Sequence, residues 1–178
     1  MEHRRGKAIS MSDVAKAVGI SRQAVYLHFE SRTELLVATS KYVDELKGLD
    51  QRLNLFRAAA NGIQMLEACV EVWGNFMPEI HGLAKALMAT RDTDEATAAV
   101  WAGNMSYLKD ICTLTIQALN QEGNLHSIWS EEDAINVFWT MISVNNWEQL
   151  TQECGWSNEE YIEKITRLLK QTFIVTKS

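Results

Sequence analysis

A chain of 178 residues holds one domain with a full core, or a small module joined to a larger body, and little more. Its 9 glycines and 1 proline are too few for the turn chemistry of a sandwich or barrel, so an all-α fold is expected. The net charge of −6 is unevenly spread: residues 1–41 carry seven Lys and Arg against four Asp and Glu, the remainder ten against nineteen, which suits a protein meeting a polyanion at one end only.

The first helix signal is Ser10 with Asp13, a capping-box spacing ahead of Met11, Val14, Ala15 and Val18. Gly19 is a left-handed stop, and Ser21 is an N-cap for a second short helix from Arg22 to about Phe29, with Val25 and Phe29 on its core face. Ser31 and Glu34 form another capping box, opening a bridging helix from Arg32 to Lys47. Beyond it, long helices are predicted over 50–77, 79–90, 94–121, 131–153 and 158–175, with Pro78 separating the first two. Gly123 and Gly155 close the third and fourth, while Ser130 and Ser157 cap the starts of the fourth and fifth. The domain boundary is therefore placed between a head at 1–47 and a helical body at 48–178.

The predicted helix at 131–153 is apolar nearly all round. Packing it and the last helix against a second copy buries both faces, which makes Ile135, Trp139, Ile142, Tyr161, Ile165, Leu168, Leu169 and Phe173 the expected interface of a homodimer. The alternative is one central core helix in a monomer. Trp73, Phe76, Met77, Trp101, Met105, Leu108, Phe138 and Met141 are candidates for lining a small-molecule cavity in the body, with Asn104 and Asn145 to orient the ligand. Core packing explains the same residues.

Residues 10–36 place helix, Gly turn, helix and capped third helix at the spacing of a helix-turn-helix, whose second helix enters a DNA major groove. On that helix Arg22 and Gln23 face outward, where Arg pairs with a guanine edge and Gln with adenine, and Ala24 is small enough to meet a thymine methyl. Ser10 and Ser12 offer hydroxyls and backbone N–H groups to a phosphate, and Ser21 stands at the start of the recognition helix. Arg32 sits at the positive end of a helix dipole, disfavoured there by about 0.3 to 1 kcal/mol unless an anion such as a DNA phosphate docks beside it.

This stretch closely resembles the DNA-binding region of the tetracycline-repressor (TetR-type) family of bacterial transcription regulators. The resemblance is carried by Ser10, Val14-Ala15, Val18-Gly19-Ile20-Ser21, Tyr26, His28-Phe29, Ser31-Arg32 and Leu35. More loosely, Trp147, Leu150 and the run from Gly155 to Tyr161 are similar to the junction between the family's two dimerisation helices. The resemblance implies that Tyr26 and His28 contact phosphates and that Arg32, where the family usually has lysine, does the same. It implies a homodimer, usually a repressor, that binds a palindromic double-stranded DNA operator and is released by a small effector, here expected to be apolar or aromatic. The family normally has a full helix before the motif, whereas only Met1 to Arg5 precede Gly6, so most of that first helix is expected to be missing. The alternative function is therefore a ligand-binding or protein-interaction module whose DNA-binding head has decayed.

No catalytic residue, metal or cofactor is expected. The histidines at 3, 28, 81 and 126 are scattered, no Ser-His-Asp spacing or Gly-rich phosphate loop is present, and Asp92, Asp94 and Glu95 surround a helix start, where negative charge is favoured. Cys69, Cys112 and Cys154 lie more than 40 residues apart and fit neither a disulfide framework nor a zinc site. The longest apolar run, Ala98 to Ala102, is far short of the ~18 residues of a membrane span, and no signal-peptide core opens the chain. A cytoplasmic protein with no membrane partner is expected.

Overall fold

The computed structural model describes residues 10–175. Among them the backbone folds into α1 (Met11–Val18), α2 (Arg22–Tyr26), α3 (Arg32–Leu46), α4 (Leu49–Arg52), α5 (Asn54–Arg57), α6 (Gly62–Thr90), α7 (Glu95–Gln121), α8 (Glu131–Met141), α9 (Val144–Glu148) and α10 (Asn158–Phe173). A π-helical turn at Gln149–Glu153 follows α9, and the only extended pairing in this range is one antiparallel bridge between Leu125 and Ile174. The fold is all-α, as composition suggests. The expected loss of a first helix falls outside the described residues.

Two compact units divide the chain. One holds the residues up to Leu46 together with Gly82–Met105, the other Lys47–His81 and the residues from Ser106 onward; α6 and α7 each supply segments to both. In the first unit, Met11 and Ala15 of α1 pack with Val25 of α2, and Phe29 and Leu35 close over them. Val14 is only half buried and Val18 is exposed, so the buried stripe of α1 is narrower than the apolar spacing suggests. In the second unit, α6 contributes Leu66, Val70 and Phe76, α7 contributes Leu108, Cys112, Ile116 and Leu119, and Phe138, Tyr161, Leu169 and Phe173 enclose them. The C-terminal segment is pinned by hydrogen bonds from His126 N–H to the Phe173 carbonyl at 2.7 Å and from the Trp129 indole to the Thr172 carbonyl at 2.9 Å.

Three predicted boundaries are corrected. Pro78 does not end a helix: α6 runs through it for 29 residues. The proline lies on the exposed face, and burial of Trp73, Phe76, Met77, Ala84 and Leu87 on the other side outweighs a cost of about 3 kcal/mol for an interior proline. Conversely, the helix expected over 50–77 is interrupted. Asn61 accepts the Gln64 N–H at 2.9 Å and Gln64 accepts the Ala60 N–H at 2.9 Å, a reciprocal cap that starts α6 afresh. The helix expected over 131–153 breaks after Met141 because Ser143 accepts the Asn146 N–H at 3.3 Å, while the Asn146 side chain donates to the Thr140 carbonyl at 2.8 Å.

Candidate nucleic-acid interface

The head is built from its caps. Ser10 accepts the Asp13 N–H at 3.2 Å and donates its own N–H to Asp13 at 2.9 Å, the reciprocal box expected at the start of α1. Gly19 takes the left-handed conformation (φ 72°) that turns the chain, and Ser21 accepts the Ala24 N–H at 3.0 Å to start α2. Regular helix ends at Tyr26, earlier than expected. A tightened final turn carries the His28 and Phe29 N–H groups onto the Val25 carbonyl at 3.1 and 3.0 Å, so the helical path still reaches Phe29. Ser31 then accepts the Glu34 N–H at 3.1 Å, and the Glu34 carboxylate accepts the N–H of Glu30 rather than that of Ser31.

Val25 anchors α2 to the core, which leaves its opposite face to solvent. Ser12, Ser21, Arg22, Gln23 and His28 are exposed, Ala24 is half buried and Tyr26 is 42% exposed. Arg22 and Tyr26 form one group: the guanidinium carbon lies 5.4 Å from the ring centroid, and Nη2 donates to the phenol oxygen at 3.4 Å. A cation and a flat aromatic ring are thus held together on the outward side of a short helix. Of the nine residues expected to meet DNA, the structure brings Ser21, Arg22, Gln23, Ala24, Tyr26 and His28 together on or beside α2, with Ser10 and Ser12 at the start of α1.

Arg32 has an internal partner that was not anticipated. Its Nη1 donates to both oxygens of Asp94, and the two side chains are 21% and 20% exposed. Asp94 also accepts the backbone N–H and the hydroxyl of Thr97, each at 2.8 Å, and so caps α7. These bonds, Arg32 foremost, hold the Asp94 carboxyl down to a pKa of about 2. Eight residues further along α3, Ser40 accepts from the Asn104 amide at 3.1 Å. Asp94 and Asn104 lie 62 and 64 residues from their partners, beyond the reach of any local sequence pattern.

The residues proposed to line an effector cavity fall in both units. Trp101, Asn104 and Met105 belong to the first; Asn104 is engaged by Ser40, and the Arg91 guanidinium covers Trp101 at 5.2 Å. Trp73, Met77, Leu108, Phe138 and Met141 belong to the second, whereas Asn145 is exposed. The Trp73 indole nitrogen is buried and meets no acceptor among the described residues. His81 is half buried, with Nε2 3.4 Å from Glu148 and its ring edge-on to Trp147.

Five of the eight expected interface residues are corrected. Ile142, Tyr161, Ile165, Leu169 and Phe173 are 0–3% exposed within a single chain; the last four recur at four-residue spacing on the inward face of α10, and Ile142 is buried at the end of α8. They have no surface to offer a partner. Ile135, Trp139 and Leu168 retain exposed area.

Residues 5–39 match the sequence model of the bacterial regulatory proteins of the tetR family. No curated protein sequence matches the chain. Among solved structures, a Saccharomonospora viridis protein in complex with choline superposes with a TM-score of 0.72 at 13% identity, covering 94% of this chain and 88% of that one. The transcriptional regulator FadR from Bacillus subtilis, in complex with stearoyl-CoA, gives 0.70 at 14% identity, with 92% and 88% covered. A regulatory protein of the tetR family from Rhodococcus RHA1 gives 0.67 at 17% identity, with 96% and 88% covered. At these identities the solved structures establish a shared fold, and the match to the tetR-family model is confined to residues 5–39.

Proposed function

We propose that this chain is a TetR-type transcriptional regulator, a reading supported by the match of residues 5–39 to the tetR-family model, and that it binds double-stranded DNA as a homodimer. Two α2 helices enter successive major grooves of a near-palindromic operator, about 34 to 36 Å apart. The observation that carries this reading is the exposed face of α2, where Gln23 and the stacked Arg22–Tyr26 pair project from a helix fixed by Val25. Arg22 reads a guanine edge, Gln23 an adenine and Ala24 a thymine methyl. Ser10, Ser12, Ser21, Tyr26, His28 and Arg32 hold the DNA backbone and fix the register.

The head and bridging helix at 1–47 serve DNA, and the body at 48–178 serves dimerisation and sensing, in a cytoplasmic repressor. A small apolar or aromatic effector in the body releases the operator; a hundredfold loss of DNA affinity requires about 2.7 kcal/mol of coupling. Two observations support sensing: the same fold is found in proteins solved with choline and with stearoyl-CoA, and Trp73 keeps a buried, unpartnered indole donor. The alternative, a binding module with a decayed head, is disfavoured by the packed Met11–Ala15–Val25 cluster and by the intact caps at Ser10 and Ser21.

The test is selection of duplexes from a randomised library by the full chain, followed by titration at two salt concentrations. A regulator selects a two-half-site sequence and loses affinity steeply with salt. Salt-steep binding without a selected sequence rejects base reading, and absence of binding favours the decayed head.

A further inference from the structure

An arginine at the first position of a helix is electrostatically misplaced, because the unpaired N–H groups there carry a partial positive charge. Arg32 of α3 is in that position, and the anion beside it is the Asp94 carboxylate. The carboxylate stands where a phosphate oxygen would relieve the same penalty. Both of its oxygens engage one guanidinium nitrogen, Nη1, and the pair is neither fully buried nor fully exposed. At about one-fifth exposure the pair stays within reach of solvent, so a phosphate can compete with the carboxylate for the guanidinium.

Asp94 has a second task that does not depend on Arg32: it accepts the N–H and hydroxyl of Thr97 and so holds the start of α7. Losing Arg32 therefore leaves the carboxylate hydrogen-bonded, on a helix N-terminus that favours negative charge. The Ser40–Asn104 bond is a further link between α3 and α7, separate from the ion pair. Each side of the pair thus has an alternative: a phosphate for Arg32, the cap of α7 for Asp94.

We propose that Asp94 restrains DNA binding, holding Arg32 in reserve through a carboxylate that the DNA backbone displaces. This rests on the reading of Arg32 as a phosphate contact and adds the element that opposes it. The exchange makes the Arg32–phosphate contact conditional. It lowers affinity for every duplex by the same factor, because a backbone contact carries no sequence information.

The experiment is duplex binding by the full chain across a salt series, for wild type, Asp94→Asn, Arg32→Ala and the double variant. Asparagine keeps an N-cap acceptor for Thr97 and removes the charge; Asp94→Ser, also a good cap, guards against a fault peculiar to asparagine. Removing the carboxylate is expected to raise affinity for random duplex about two- to fivefold at low salt, the range for a partly exposed ion pair. It should steepen the salt dependence by up to about 0.9 in log–log slope per head. Both gains should vanish in the Arg32→Ala background.

Weaker binding by Asp94→Asn and Asp94→Ser, with Arg32→Ala also weaker than wild type, overturns the inference while sparing the phosphate contact, because Asp94 then orients Arg32 rather than withholding it. A gain that survives in the double variant overturns it too, as a general charge effect. An Arg32→Ala variant whose affinity and salt slope equal those of wild type removes the phosphate contact itself.

Discussion

Arg22 lies over the ring of Tyr26, 5.4 Å from its centroid, with its terminal nitrogen 3.4 Å from the phenol oxygen. The contact spans one turn of a helix only five residues long, so the ring acts as the platform that aims the guanidinium. Tyr26→Phe keeps the platform and removes the hydroxyl, whereas Tyr26→Ala removes both. The Ala variant is expected to relax base preference at the position read by Arg22 as well as to weaken all duplexes; the Phe variant should largely keep the preference. Parallel selections from one randomised duplex library check this.

Gln23 has no such support and stands exposed beside the pair. Gln23→Ala should cost about 1 to 3 kcal/mol at a single operator position and nothing on random duplex. Competition titrations with singly substituted operators measure it, and equal loss on every sequence would refute base reading.

The depressed carboxyl of Asp94 makes stability depend on pH. Its folded-state pKa, about 2, lies below the ordinary 3.8, so the stabilisation is fully present above pH 4 and is lost as pH falls toward 2. For a partly exposed pair the loss is about 1 kcal/mol. Denaturant melts between pH 5 and pH 2 should show it in wild type, and Asp94→Asn should be flatter over the same interval.

The second copy, if it packs on α8 and α10, must use their outer faces. Leu168 is 44% exposed, one position from the fully enclosed Leu169. Leu168→Lys is expected to yield folded monomers, with the melting temperature at high protein concentration lowered only by loss of the partner. Leu169→Lys should fail to fold, since it places a charge in a packed core. Sedimentation alongside thermal melting separates the two outcomes.

Two glycines of α6 should respond oppositely. A methyl group on Gly62 would stand 2.6 Å from the backbone nitrogen of Leu119, while one on Gly82 meets nothing within 4 Å. Gly62→Ala should therefore destabilise by about 1 to 3 kcal/mol through overpacking, and Gly82→Ala should stabilise by up to about 1 kcal/mol through helix propensity. Urea midpoints test both.

What the residues reveal in advance follows the range of the forces involved. Ser10, Gly19, Ser21, Ser130 and Ser157 act on neighbours within four positions, so the caps and the turn of the head are legible from spacing alone. Pro78 misleads because its local penalty is overridden by burial along both halves of α6, which no window around it contains. Ser143 and Asn61 were legible caps hidden in apolar or alanine-rich surroundings. On α10 the apolar stripe is plain, but a stripe cannot tell its own core from a partner's, and Ile165 and Leu169 are enclosed by this chain's own core. Of the DNA face, every exposed residue on α2 was accessible to reasoning, while the partner of Arg32 depends on a contact across 62 residues.

The most direct measurement of the central claim is photo-crosslinking from a reactive group installed at Gln23 in the DNA complex of the full chain. Crosslinks are predicted at major-groove positions of bases in two half-sites about one helical turn apart. A complex that forms with undiminished affinity, yet yields no crosslink to bases from Gln23, would contradict the assignment of α2 as the recognition helix.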